Sequence, residues 1–320
     1  MKITVLALDG VFDTGLAAVL DAFGAANELA AMTALNAPRF DVAVMGMRRR
    51  VRTARGLSVP VVSAGRGRRP DYVVVPAIGC KMPAPLEHAL RRPDVLDGLA
   101  ALRAWADKGA ALAAACVGTF VLAESGLLDG EVATTTWWLA PMFRRRYPNV
   151  MLDESRMVVR SGTTVTAGAA FSHIDLALAL IRQTSPELAG LVAKYLVVDA
   201  RPSQSAYAIS DHLIHADPLV ERFERWARGR LARGFSLDDA AGALATSKRT
   251  LARRLKDTLG KTPLSYFQDL RVEHAVHLLK TTDHSIERIA TLVGYADGVT
   301  LRTLLRRRLG RGVRELRAVT

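Results

Sequence analysis

Residues 113–122 read Ala-Ala-Ala-Cys-Val-Gly-Thr-Phe-Val-Leu, and this stretch decides how the first part of the chain folds. The run Ala110–Ala115 is short and apolar, which is typical of a buried strand. Small residues lie on both sides of Cys116, so the backbone can turn sharply there. The stretch therefore predicts a strand that leads through Cys116 directly into a helix.

Outward from this turn, strands alternate with helices. Further strands are predicted at Ile3–Leu8, Phe40–Met45 and Asp71–Pro76, and helices at Leu16–Leu35 and Leu96–Lys108. This alternation predicts an α/β domain with a mostly parallel sheet that is covered on both faces. Such sheets bind ligands at the carboxyl ends of their strands, so the loops after Leu8, Val75 and Ala115 are predicted to line a pocket.

The composition bounds the class of protein. Half of the 320 residues are hydrophobic and 23% are charged, which excludes a wholly disordered chain and predicts two domains. The longest uncharged stretch, Gly109–Ala123, has 15 residues and falls short of the ~20 that span a bilayer. The N-terminal apolar run ends at Asp9 without a signal-peptide cleavage site, and only two cysteines occur, Cys80 and Cys116. We therefore expect a cytoplasmic protein with no transmembrane helix and no disulfide framework.

The positive charge is concentrated in the last third of the chain. Residues 1–215 hold 23 Lys and Arg against 19 Asp and Glu, whereas residues 216–320 hold 21 against 12. The net charges are therefore +4 and +9. A basic block beside a nearly neutral one favours a nucleic-acid module attached to a domain with another task. A solubilising surface in an arginine-rich protein is the alternative, so the pattern of residues must decide.

Cys116 is the first candidate for chemistry. A cysteine in a tight strand-to-helix turn resembles a nucleophile elbow, and the positive end of the helix would favour its thiolate. Nucleophilic catalysis also needs a base nearby. The alternative is a small buried cysteine that closes the junction, and the spacing alone favours that alternative.

Several segments share one resemblance. They are Cys116–Gly130 with Ala133–Trp137, Val73–Pro76, Leu20–Asn27, and Thr166–Gly168 with Ile174–Ala177. Together they resemble the PfpI-like, class I glutamine-amidotransferase-like domain of GlxA-type transcription regulators. The resemblance implies a flavodoxin-like, doubly wound fold and an effector or dimerisation role.

One position departs from that resemblance. The enzymes of the superfamily pair the elbow cysteine with a histidine, and the regulators commonly read Thr-Thr-His-Trp where this chain has Thr136 before Trp137. Threonine cannot act as a base near neutral pH, and His88 and His173 stand in other contexts. We therefore expect no enzyme activity, no cofactor and no metal site. The candidate ligand-pocket residues are Asp9, Asp13, Gly79, Cys80, Cys116, Val117, Thr136 and Trp137.

The last third contains an internal repeat. Ser236–Ala241 and Ser285–Ala290 match in pattern, and each has a Ser that is followed two positions later by an acidic residue. Each therefore opens like a capped helix. After a short break, a more basic helix follows in both units. A helix, a turn and a second helix therefore occur twice, and this repeat is typical of two DNA-binding helix-turn-helix units.

The second helices carry the candidate DNA contacts. Arginines near the start of such a helix can reach guanine edges, whereas later cations meet phosphates. For either helix alone, a basic face that contacts only solvent is the alternative. Two such helices in matching positions favour DNA binding. The candidate DNA-binding residues are Ser247, Lys248, Arg249, Thr250, Arg253, Arg254, Lys256, Asp297, Gly298, Thr300, Arg302, Thr303, Arg306 and Arg307.

The same region resembles the AraC/XylS-type DNA-binding domain. The resemblance rests on Leu251–Phe267, Leu270–Ala275, Leu278–Leu279, Ser285–Ala290 and Val293–Tyr295, and it covers nearly all of 234–317. It implies that Leu264–Lys280 is a long helix that joins the two units. The second recognition helix usually starts with two serines, where this chain has Gly298-Val299. We therefore expect the first unit to read bases more sharply and the second to depend more on phosphates.

Together these patterns predict three parts: 1–200, an effector or dimerisation domain; 201–233, a connector; and 234–318, an all-α DNA-binding domain with two helix-turn-helix units. The predicted function is a sequence-specific transcription regulator, an activator that responds to a small-molecule effector. The expected partners are double-stranded DNA, RNA polymerase and a second copy of the chain. Two alternatives use Cys116: a thiol-dependent hydrolase or glyoxalase-like enzyme, and a redox-sensing regulator with Cys80 as the resolving thiol.

Overall fold

A computed structural model describes residues 1–63, 69–199, 201, 203–204 and 217–317. The chain divides into two compact units, Met1–Gln204 and Ser205–Thr320. Of the predicted connector at 201–233, residues 202 and 205–216 lie outside the described residues.

The first unit is built on a seven-stranded sheet. Its strand order is β10-β11-β7-β6-β1-β2-β5, and β10 alone runs antiparallel to its neighbour within that sheet. Taken in chain order, the five central strands stand 2-1-3-4-5, which is the flavodoxin arrangement. The strands are β1 Lys2–Leu6, β2 Asp41–Gly46, β3 Arg50–Arg52, β4 Ser58–Pro60, β5 Val62–Ser63, β6 Tyr72–Val75, β7 Ala111–Ala115, β8 Val132–Ala133, β9 Met151–Leu152, β10 Val158–Ser161 and β11 Thr164–Ala167.

Helices cover both faces of this sheet. The helices are α1 Asp13–Met32, α2 Pro83–Leu90, α3 Pro93–Asp107, α4 Gly118–Glu124, α5 Ala140–Arg146, α6 Ser172–Thr184 and α7 Pro186–Tyr195. Val5, Val74 and Ala113 face α1, α6 and α7, whereas Leu6 and Val75 face the opposite layer of α2 to α5. This alternation follows from the period of two along each strand. The predicted doubly wound fold is confirmed.

α1 is the one helix in the described part of the chain whose length and composition would allow it to cross a membrane. Its buried residues include Leu16, Val19 and Phe23, and they belong to the core that α6 and α7 complete. Because this apolar side is packed inside the unit, α1 is a core helix.

The second unit is helical. Its helices are α8 Pro218–Arg228, α9 Leu237–Ala243, α10 Lys248–Leu259, α11 Pro263–Thr281, α12 Ile286–Leu292, α13 Gly298–Leu309 and α14 Val313–Arg317. The Ser236 side chain accepts the Asp239 N–H at 3.2 Å, and the Ser285 side chain accepts the Arg288 N–H at 3.2 Å. Both predicted caps are therefore present, and each satisfies an orphan donor of its helix.

Two small cores lie along α11. Leu270 and Phe267 pack with α8, α9 and α10, whereas Ala275 and Leu279 pack with α12 and α13. The predicted joining helix is confirmed, although Leu264 at its start is exposed. α8, which lies in the predicted connector, belongs to the first of these cores through Phe223.

Gly118 gives a direct test of the turn after β7. A Cβ at this position would overlap the carbonyl oxygen of Val75 and lie 2.8 Å from that of Pro76. Because strand backbone cannot move aside cheaply, we expect Gly118→Ala to destabilise the first unit by about 2–3 kcal/mol. The free energy is measured by urea unfolding of the full chain, with hydrogen exchange of β7 assigning the transition.

Gly24→Ala is the matched control. Gly24 lies inside α1, and nothing would contact a Cβ there within 4 Å. It should leave the first unit as stable, or more stable by up to about 1 kcal/mol, because alanine favours helix over glycine. Equal stability of the two variants would contradict the close approach at Gly118.

Candidate functional site: strand-end residues and two basic helices

Cys116 stands at a strained turn between β7 and α4. Its φ is 55°, in the left-handed region that non-glycine residues rarely occupy. The Cys116 N–H donates to the Ala167 carbonyl at 2.9 Å, which fixes the turn to β11. The predicted strand-to-helix turn is therefore present, and it stores backbone strain of the kind found at functional positions.

The Cys116 thiol is buried and protonated. Burial raises its pKa to about 12, and the Val117 N–H and the Thr136 hydroxyl lower it by less. The start of α4 was expected to favour the thiolate, but desolvation outweighs it here. Since the thiolate is the nucleophile, this thiol is poorly suited to covalent chemistry at neutral pH.

His173 does not supply the missing base. Its Nε2 accepts the Ala77 N–H at 3.1 Å, so Nδ1 carries the proton and donates to the Ala170 carbonyl at 2.6 Å. Burial lowers the pKa of His173 to about 4. Both ring nitrogens are occupied by backbone groups, and His88 is exposed on α2. His173 is thus a buried structural histidine that joins α6 to the end of β6.

The loop after β1 forms a second group of candidate pocket residues. The Arg52 N–H donates to the Asp9 carboxylate at 2.9 Å, and the Arg55 N–H donates to the Asp13 carboxylate at 3.1 Å. The Gly79 N–H donates to the Gly10 carbonyl at 2.8 Å. The structure therefore brings Asp9, Asp13 and Gly79 together beside the β3–β4 hairpin.

Both groups border the segment that follows β6. Gly118 packs against Val75 and Pro76, and the Phe12 N–H donates to the Ala77 carbonyl at 2.8 Å. In a flavodoxin-like sheet, this position between β1 and β6 is the switch point where ligands bind. Thr136 lies beside Cys116, Trp137 is buried against Trp138, and Cys80 is half-buried after β6.

Gln204 was not singled out from the sequence as a site residue, yet it is fully buried beside the elbow. Its Nε2 donates to the Thr135 carbonyl at 2.8 Å and lies 3.2 Å from the Thr134 hydroxyl oxygen. The Thr135 hydroxyl in turn donates to the Cys116 carbonyl at 2.7 Å. A Cβ on Gly168 would lie 2.5 Å from the Gln204 Oε1. Hydrogen bonds therefore connect the Cys116 peptide to the last residue of the first unit.

In the second unit, α10 turns its cations in different directions. Arg249, Arg253 and Lys256 are exposed, and Arg253 lies 3.6 Å from Asp257 of the same helix. Arg254 instead pairs with the buried carboxylate of Asp217 at 2.8 Å. Arg254 therefore holds α10 to the start of α8.

Three further candidates lie at the start of α10. Ser247 is the N-cap, and its side chain accepts the Thr250 N–H at 3.1 Å. Lys248 pairs with Asp238 at 2.8 Å. Their hydrogen bonds and ion pairs thus shape the first turn of the helix.

α13 repeats this geometry with different side chains. Asp297 is the N-cap and accepts the Thr300 N–H at 2.7 Å, which lowers the pKa of Asp297. Arg302 pairs with Glu287 at 3.0 Å, and Gly298 is buried against the same carboxylate. Arg306 and Arg307 are exposed, and neither contacts a carboxylate in the part of the chain that is described.

Arg271 ties the two helix-turn-helix units together. Its Nε donates to the Leu231 carbonyl at 2.9 Å, and its guanidinium lies 4.8 Å from the Phe267 ring centre and 5.3 Å from that of Tyr295. Gly294 leaves room for this contact, because a Cβ there would overlap both Arg271 and the Leu231 carbonyl. This role was not predicted, since Leu231 and Tyr295 lie far from Arg271 along the chain and Phe267 alone is one helical turn away.

Comparisons with known proteins find a matching family model for each of the two units. The family model of the DJ-1/PfpI family matches residues 1–183, and that of a helix-turn-helix domain matches residues 240–318. The HTH-type transcriptional regulator ArgR of Pseudomonas aeruginosa is 30% identical over 209 residues, which are 62% of this chain and 61% of ArgR. The HTH-type transcriptional regulator CdhR of the same organism is 28% identical over 197 residues, 58% of this chain and 56% of CdhR. The matched region thus spans about three fifths of these relatives.

A solved structure is similar in fold. The crystal structure of an AraC family transcriptional regulator from Pseudomonas putida superposes with a TM-score of 0.50 at 21% identity. It covers 61% of this chain and 98% of that chain.

Among the described residues, no cluster of three or more His, Cys, Asp or Glu side chains is arranged to hold a metal ion.

The thiol chemistry is tested by alkylation of the native full chain at pH 7.5. With a pKa of about 12, Cys116 is thiolate in only about one molecule in 3 × 10⁴ at pH 7.5, so we expect Cys80 to be labelled and Cys116 to stay unlabelled. Mass spectrometry of digested protein measures each site. The Cys116 rate should rise about ten-fold per pH unit while the fold persists. Labelling of both thiols at similar rates at pH 7.5 would contradict the burial argument and support a reactive elbow.

Proposed function

The chain belongs to the DJ-1/PfpI family, and because it joins that domain to an AraC-type helix-turn-helix domain, we propose that it is a sequence-specific DNA-binding activator of transcription. The observation that carries the proposal is the pair of capped helices α10 and α13, which present exposed cations such as Arg249 and Arg306 on matching faces. Such faces attract phosphates and place helix N-termini at base edges.

Each helix divides the DNA contacts between bases and phosphates. Arg249 and Arg253 lie in the first two turns of α10, where side chains reach guanine edges in the major groove. Lys256, Arg306 and Arg307 lie further along the helices and meet phosphates. Arg254 is left out of this set because Asp217 holds it. The remaining candidates shape the helix starts or flank these contacts: Ser247, Lys248, Thr250, Asp297, Gly298, Thr300, Arg302 and Thr303.

The first unit binds an effector at the switch point and does not catalyse. The buried protonated thiol of Cys116 and the occupied ring of His173 argue against a hydrolase, a glyoxalase and a thiolate-based redox sensor alike. Buried oxygens without a hydrogen-bond partner among the described residues remain on Asp13, Thr119 and Ser172, each at the start of a helix. Such orphan groups support a small polar effector that can donate hydrogen bonds to them.

The whole protein works as a cytoplasmic homodimer that contacts RNA polymerase at the promoter. We place its parts at 1–200 for the effector domain, 201–233 for the connector and 234–318 for the DNA-binding domain. An effector changes DNA affinity only if it binds one arrangement of the protein better than another.

Gln204 supplies a route for that coupling. Its amide holds the Thr135 carbonyl, and the Thr135 hydroxyl holds the Cys116 carbonyl, so an effector that shifts the elbow also shifts Gln204. Arg201 anchors the same segment through an ion pair with Asp175. Gln204 is the last residue of the first unit, so this is the point at which the proposed coupling leaves that unit.

The DNA proposal is tested with operators that the full chain selects from random DNA. Arg253→Ala should relax the preference at one base position, since each specific base contact contributes about 1–3 kcal/mol of discrimination. Arg307→Ala should weaken all sequences alike and reduce the slope of log affinity against log salt by about 1. For both variants, the base preference at each operator position and the slope of log affinity against log salt are measured.

Arg225→Ala is the control, because Arg225 is exposed on α8 and pairs with Glu221. It should change neither the profile nor the salt slope. Identical profiles for the Arg253 and Arg307 variants would overturn the division of labour. No salt-sensitive binding to any selected sequence would overturn the proposed function itself.

The coupling is tested with Gln204→Ala. We expect faster hydrogen exchange over residues 133–136 and a change of at least about three-fold in operator affinity without effector, since 1.4 kcal/mol is a factor of ten and several hydrogen bonds are lost. Gln183→Ala is the control, because Gln183 is exposed and contacts only Tyr72 among the hydrogen bonds described. Faster exchange with unchanged operator affinity would show that Gln204 only stabilises the fold.

A further inference from the structure

An apolar pair stands on the otherwise basic face of α13. Val299, the second residue of the helix, is 66% exposed, and Thr303 is exposed one turn later. Arg306 and Arg307 follow on the same side. Val299 therefore presents an aliphatic side chain on the helix face that we expect to meet DNA.

The two second helices correspond residue by residue. Ser247 and Asp297 are their N-caps, and Gly260 and Gly310 end them with φ values of 68° and 69°. A shift of 50 residues therefore superimposes α10 on α13. Under this shift, Val299 takes the place of Arg249 and Thr303 takes the place of Arg253. Where the first unit presents two guanidinium groups, the second presents an isopropyl group and a threonine.

Thr303 has its hydroxyl already engaged. Its Oγ1 donates to the Val299 carbonyl at 3.0 Å, one turn back along the helix. The hydroxyl proton is therefore committed, and Thr303 presents its methyl group and the acceptor lone pairs of Oγ1 to a ligand. In addition, the first two turns of α13, residues 298–305, contain one cation, Arg302, and Glu287 holds it at 3.0 Å. The start of α13 thus has aliphatic groups where the start of α10 has exposed guanidinium groups.

We propose that α13 reads the 5-methyl groups of thymine, through the methyl groups of Val299 and Thr303. In the major groove, the thymine methyl is the apolar group that distinguishes a base pair, whereas guanine presents two acceptors that suit arginine. The operator therefore carries guanine opposite the start of α10 and thymine opposite the start of α13. This inference rests on the proposed DNA-binding function and adds a base contact to the second unit, which we expect to depend more on phosphates than the first.

The test removes single methyl groups from the DNA. Each thymine of an operator selected by the full chain is replaced in turn by deoxyuridine, which pairs identically but lacks the methyl group. We expect one or two positions, in the part of the operator that α13 covers, to lose about four-fold in affinity, the effect of one buried methyl group. Deoxyuridine at any other thymine position should leave the affinity unchanged.

Variants assign the methyl contact to its residues. In Val299→Ala and in Thr303→Ser, which keeps the hydroxyl, the sensitive position should bind thymine and deoxyuridine equally. Leu264→Ala is the control, because Leu264 is 51% exposed on α11 and outside α13. It should retain the full sensitivity to deoxyuridine.

The outcomes separate the two proposals. The thymine-methyl inference would be overturned if no deoxyuridine substitution changed the affinity for the operator. It would also be overturned if both α13 variants kept the full sensitivity to deoxyuridine. Operator binding itself would persist in either case. Failure of the wild-type chain to bind any selected operator would instead overturn the proposed function.

Discussion

The contact between Arg271 and the Leu231 carbonyl holds the second unit in one arrangement. Each helix-turn-helix has a core of about a dozen side chains, too small to fix its orientation relative to the other. α11 contributes to both cores, and Arg271 stacks on Phe267 from one and Tyr295 from the other. Two helices can read one stretch of duplex only if their separation matches the helical repeat of about 34 Å. A cation held between two rings and a carbonyl is a short-range and directional way to maintain that match.

The first unit has the backbone shape of an enzyme elbow around a thiol whose pKa is raised by burial. Cys116 has the strained backbone, and Gly118 allows the close approach of the β6 end. A thiolate needs solvent, positive charge or hydrogen-bond donors, and at Cys116 the loss of solvent outweighs the Val117 N–H and the Thr136 hydroxyl, so burial raises the pKa of the thiol. The same strained turn is instead connected to Gln204 by hydrogen bonds through Thr135. A geometry suited to positioning a nucleophile can equally report the position of a bound molecule.

Much of the fold and part of the candidate site were predictable because they depend on local sequence patterns. The strands, the turn at Cys116 and the serine caps follow from periodicity, small residues and capping chemistry, and the joining helix is what the resemblance to the AraC/XylS-type domain implies. The roles of Gln204, Arg254 and Arg271 were not predictable, since their partners lie far away along the chain: Thr135, Asp217 and Leu231. The exposure of Val299 was equally hidden, because a valine near a helix start is more often buried than exposed.

The repeated caps have a consequence for how such a protein diversifies. In each helix-turn-helix, the N-cap, the inward leucines and the left-handed terminal glycine set the shape through backbone hydrogen bonds and core packing. Outward positions such as 249 and 299 can therefore change their chemistry while the scaffold stays the same. One half of a recognition sequence can be rewritten while the other is retained, and a new regulon can arise by single substitutions.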